Sequence, residues 1–123
     1  MPGPAVVDYR QRSFAFACEI VRFYRLISKR HDVPLPIAKQ LLRSGCSIGA
    51  NLQEAKSAQS RRDLVSKFSI ALKEARETQY WLRLMASTGL ATETELASLE
   101  QEATQLVAIL TTSVKRLKIP PEF

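Results

Sequence analysis

Very few side chains in this sequence are equipped for chemistry, and spacing limits what each set can do. Arg25 and His31, the one histidine, have five residues between them. An arginine can bind an anion and an imidazole can move a proton. Glu74 and Glu77 lie three apart, as do Lys73 and Arg76. Two carboxylates on successive turns can serve as acid and base. Charges at that spacing more simply form a solvated or interfacial ion-pair lattice, and no cleft or substrate feature accompanies them. Cys18 and Cys46 fall inside helical segments and read as structural thiols. Without a CxxC or a Cys/His cluster they make neither a disulfide framework nor a metal site. A carboxylate-bridged metal pair needs Glu-x-x-His on facing helices, which one histidine cannot supply. Gly45-x-x-x-Gly49 lacks the lysine and preceding strand of a phosphate loop, and no GxGxxG occurs. The sequence therefore predicts no catalytic residue, no metal and no cofactor, with Arg25 and His31 as the one enzymatic alternative.

Helices must position these groups. Apolar residues recur at steps of three and four in four segments, roughly 8–29, 36–58, 63–87 and 93–118, and none shows the period of two that strands need. The first seam is Phe16, Ile20, Phe23, Ile27; the second Ile37, Leu41, Ser44, Ile48, Asn51, Ala55. The third runs Leu64, Phe68, Ala71, Ala75, Thr78, Leu82, Met85, and the fourth Leu96, Leu99, Ala103, Leu106, Leu110, Val114, Leu117. Pro36 suits a first helical position. Ser60 or Asp63 can cap the third helix, Gly89 can end it in a left-handed turn, and Thr92 with Glu95 makes a capping box for the fourth. Such short connections predict an all-α, antiparallel up-down-up-down bundle, one domain over residues 1–123.

Gly45 and Gly49 then lie one turn apart on one face of the second helix. Two interior glycines cost about 2 kcal/mol relative to alanines, which close approach of a neighbouring helix can offset. Asn51 falls on the seam, where a buried amide needs partners and can fix register. Ser47, Asn51 and Glu54 form a small polar set whose alternative role is ligand binding. Ile70 and Trp81 stand off the third seam, and Phe14, Val21 and Tyr24 stand beside the first. This extra apolar width reads either as a broad core stripe or as a surface buried against another subunit.

Formal net charge is +6, which favours acidic partners such as nucleic acid. Residues 1–90 carry 15 Lys+Arg against 7 Asp+Glu, whereas 91–114 carry no base and four acids. Arg22, Arg25, Lys29 and Arg30 cluster late in the first helix; Arg61, Arg62 and Lys67 cluster early in the third. Parallel first and third helices would set these candidate nucleic-acid-binding groups at opposite ends. The N-terminus lacks the apolar core of a signal peptide and no apolar run reaches membrane-spanning length, so a cytoplasmic location with reduced thiols is expected.

"RSGCSIGANLQEA" (43–55) followed by "DLVSKFSIALKEARETQYWLRLM" (63–85) resembles the bacterial four-helix bundle family encoded in intervening sequences of 23S rRNA genes. That family is related to the accessory variability determinant proteins of diversity-generating retroelements. The resemblance spans Phe16 to Lys118. It rests on Arg43, Ser47-Ile48-Gly49-Ala50-Asn51 and Glu54-Ala55, then on Ala71-Leu72-Lys73-Glu74-Ala75, Glu77-Thr78 and Tyr80-Trp81-Leu82. It implies a homopentameric ring with a basic surface, binding to RNA or DNA and, in the retroelement branch, partnership with a reverse transcriptase. The Arg25/His31 spacing is similar to that of HEPN-type ribonucleases, but it follows the first helix instead of lying late in the bundle. The combined expectation is a non-enzymatic, nucleic-acid-associated ring protein. The rival is a protein-interaction scaffold in which the basic charge is incidental, and the minor alternative is a ribonuclease.

Overall fold

A computed structural model describes residues 8–120. Four helices make an antiparallel up-down-up-down bundle: α1 Tyr9–Ile27, α2 Leu35–Ala55, α3 Arg61–Thr88 and α4 Glu93–Lys118. Each boundary has a local cause. The Asp8 carboxylate accepts from the backbone N–H groups of Arg10 and Gln11, which opens α1. Extended Pro34 precedes α2, which begins at Leu35, one residue before the expected start; Pro36 sits in the first turn, where its missing N–H leaves nothing unpaired. The Ser60 hydroxyl accepts from Asp63 N–H, and the Asp63 carboxylate accepts from Gln59 N–H, so α3 starts two residues earlier than periodicity indicates. Gly89, at φ 71°, ends α3, and Thr92 with Glu95 forms a complete capping box at α4. α2 ends at Ala55, short of residue 58, because the chain tightens into turn hydrogen bonds over Ser57 and Ala58.

Sequential helices pack closely, whereas α1 and α4 stand farther apart. Phe16, Ile20, Phe23 and Ile27 of α1 meet Leu41, Ile48 and Leu52 of α2, Leu82 and Met85 of α3, and Leu96, Leu106 and Leu110 of α4 in one buried core. The second seam is rotated slightly from the expected one. Gly45 and Leu52 are buried in it, while Asn51 is only half-buried.

The α1–α2 contact depends on missing side chains. A Cβ built on Gly45 would lie 2.8 Å from Cγ1 of Ile20, and one on Gly49 would lie 3.3 Å from the Ser13 carbonyl oxygen. The α1–α4 contact is instead spanned by large side chains and latched by two arginine–glutamate pairs, one from α1 and one from the turn that follows it. Arg12 grips Glu102 through Nε (2.8 Å) and Nη2 (2.9 Å), and Arg30 pairs with Glu95.

Candidate functional site

Antiparallel packing brings the start of α1, the end of α2, the start of α3 and the end of α4 to one pole. Arg62 and Lys118 share a shallow groove there with Val65, Leu117 and Pro120. Arg10, Lys56, Lys115 and Arg116 stand exposed on the same pole, where the acids among the described residues are Asp8, Glu54 and Asp63. All three acids are engaged: Asp8 and Asp63 cap helices, and Glu54 pairs with Lys67 at 2.9 Å. Arg61 lies in the groove too, but its guanidinium donates to the carbonyls of Leu117 (3.0 Å) and Ile119 (2.9 Å), closing the open end of α4.

The opposite pole gathers the ends of α1 and α3 with the starts of α2 and α4. Arg25 and Lys29 are exposed there, whereas Arg30 is held by Glu95 and Arg22 by Glu19. Glu95 also accepts from the Thr92 backbone, and Arg30 with this bond holds its carboxyl down at about 2. The Glu54 carboxylate likewise raises the Lys67 ammonium above its usual range.

Of the seven cations singled out from sequence, Arg22, Arg30 and Lys67 are therefore engaged by carboxylates and Arg61 by helix carbonyls. Arg25, Lys29 and Arg62 have no ion pair among the described residues. Lys115, Arg116 and Lys118 did not enter the sequence-based set. The pattern that places them at the Arg62 pole is the four-helix count itself, since an even number of antiparallel helices returns the chain to the pole where it began.

Arg43 reaches from α2 to α3 and bonds both Glu74 (3.1 Å) and Glu77, while Trp81 Nε1 donates to Glu77 at 3.0 Å. Glu74 is buried, and of the solvated or interfacial lattice expected for Glu74, Glu77, Lys73 and Arg76 the two carboxylates take the interfacial form, with Arg43 as their cation. Both carboxylates turn to Arg43 across the helix interface, and Lys73 and Arg76 remain exposed. Asn51 donates to Ser47 O of its own helix at 2.8 Å and makes no hydrogen bond to another helix among the described residues. The buried polar link between helices is Thr78 Oγ1 to Ser44 Oγ, 3.0 Å; both residues lay on the sequence seams.

Among the off-seam apolar residues, Phe14 is 69% exposed, Val21 40% and Ile70 37%. Tyr24 and Trp81 are half-buried and packed on the core, and Leu26 and Tyr80 are exposed as well. Arg25 and His31 are both solvent-exposed, which gives an acid–base pair no shielded cleft. Cys18 and Cys46 are free thiols, half-buried; burial pushes the Cys46 thiol up and keeps it a poor nucleophile. Among the described residues no three His, Cys, Asp or Glu gather as a metal site, and no helix is long and apolar enough to cross a membrane.

No curated protein matches the chain significantly. Among solved structures, a protein of unknown function from the S23 ribosomal protein family of Bacteroides thetaiotaomicron is similar at 40% identity and a TM-score of 0.82, covering 87% of this chain and 98% of its own. The family described as 23S rRNA-intervening sequence protein matches residues 7–112. The Arg43, Gly49 and Glu74–Trp81 features that carried the sequence resemblance all lie inside that span, and the chain belongs to the 23S rRNA-intervening sequence protein family.

Proposed function

We propose that this protein is a non-enzymatic accessory protein that binds RNA or DNA, and that it does so as a homo-oligomeric ring. The observation that carries the reading is the pole where α3 begins and α4 ends. Arg62, Lys118, Lys115, Arg116, Arg10 and Lys56 face solvent there while the nearby acids among the described residues are already engaged. Uncompensated cations on one pole attract phosphates whatever the base sequence, with a strong dependence on salt. A ring of like protomers repeats that pole around one rim. Exposed Phe14, Val21 and Ile70, with the family resemblance, support a homopentamer.

Light scattering gives the oligomer mass, and anisotropy with structured RNA and duplex DNA at two salt levels gives the binding. Arg62→Glu/Lys118→Glu is expected to lower affinity by roughly 10-fold or more and to flatten the salt dependence, with the oligomer intact. Arg61 is left unchanged because its loss would open α4. An intact oligomer that binds neither probe at low salt would sink the reading and leave a protein scaffold; a monomer would sink the ring.

A further inference from the structure

We propose that the apolar bowl at the basic pole takes up an unpaired base of a single-stranded nucleic acid; this rests on the nucleic-acid reading above. The third seam shows where the bowl lies. Ala71 and Ala75 are fully buried, but Leu64 and Phe68, which continue the seam to the start of α3, are only half-buried. A cavity of about 520 Å³ opens beside them, walled also by Tyr9, Leu52 and Ala55. Its size is that of small-molecule sites. The Tyr9 and Phe68 rings meet edge to face, centroids 6.0 Å apart at 88°, and both line the cavity.

The rim supplies the second half of the argument. Asp8, Arg10 and Lys56 surround the mouth. The Asp8 carboxylate is engaged by two backbone N–H groups, and Arg10 and Lys56 are exposed with no ion pair among the described residues. An apolar, aromatic interior under a cationic rim matches a flat heterocycle joined to phosphates. Single-strand binders combine these same two elements, a stacking surface and a positive track. A base held in a duplex cannot enter the bowl, so the bowl selects unpaired nucleotides.

The test uses the full chain and three DNA probes with equal phosphate number: a single strand, a duplex, and the single strand with its bases removed. The base-bearing strand is expected to bind roughly 10-fold tighter than the abasic one. Phe68→Leu and Tyr9→Leu are expected to erase that preference while duplex affinity stays unchanged, with circular dichroism confirming the fold. Photocrosslinking of a strand carrying 5-iodouracil needs no variant, and its expected attachment is to Tyr9 or Phe68. Equal affinity of wild type for base-bearing and abasic strands would overturn the bowl and leave the Arg62–Lys118 reading standing. No binding of any probe at low salt would overturn both.

Discussion

Helix α1 has two neighbours and meets them by opposite means. Toward α2 it packs against absent side chains: Ile20 occupies the space above Gly45, and the Ser13 backbone lies over Gly49. Toward α4 it stands off and is joined by apolar bulk and by the Arg12–Glu102 and Arg30–Glu95 pairs. Close backbone approach tolerates almost no added volume, because interiors are packed as densely as organic crystals. A wide seam latched by half-exposed charges tolerates change but responds to solvent. One helix thus carries a rigid joint and an adjustable one.

The contrast can be broken first on the tight side. Gly45→Leu places a side chain where one Cβ already comes within 2.8 Å of Ile20. Denaturant unfolding should show a loss of about 2–3 kcal/mol even after a gain of about 1 kcal/mol in helix propensity. In an Ile20→Ala background, Gly45→Ala should instead stabilise by about 1 kcal/mol, since only the propensity term remains. A Gly45→Leu protein as stable as its parent would remove the rigid joint from the account.

On the wide side, Arg12→Ala should cost about 0.5–1 kcal/mol, the range for partly exposed pairs with good geometry, and less at high salt. A loss above about 3 kcal/mol, typical of breaking a buried pair, would mean that the latch and not the apolar bulk holds α4. The smallest effect is on acid sensitivity. Glu95 ionises at about 2 in the folded protein, below its ordinary 4.5. The stability it contributes is therefore complete above about 4.5 and is lost as pH falls through about 2. Glu95→Gln should flatten the stability profile across that window and leave its neutral-pH shape unchanged; an equally steep acid limb in the variant would assign the sensitivity elsewhere.

Helix number, order and caps were legible because each rests on residues near in sequence. Thr92 with Glu95, Gly89 and Ser60 did at their positions what their chemistry allows. What periodicity cannot give is which neighbour a face meets. Glu74 reads as part of a lattice either solvated or interfacial, and what decides it is Arg43, 31 residues away. Arg61 looked like a free cation until the end of α4, far along the chain, came beside it. Asn51 was the more conspicuous polar seam residue, yet Ser44 and Thr78 make the interhelical bond. The basic pole was half visible, since Arg62 could be named from its local cluster and Lys118 only from topology.

The Ser44–Thr78 hydroxyl pair also sets an order on how this interface can drift. Replacing both with apolar residues of similar shape is nearly neutral, whereas stranding one is not. The two single steps are unequal. If Ser44 changes first, Thr78 keeps its bond to the Glu74 carbonyl at 2.8 Å; if Thr78 changes first, Ser44 retains only a long contact of 3.4 Å to Leu41 O. The path from a polar to an apolar pair is thus lower through Ser44, and lineages that have begun to lose the bond should more often carry an apolar residue opposite a surviving threonine than a serine left facing valine.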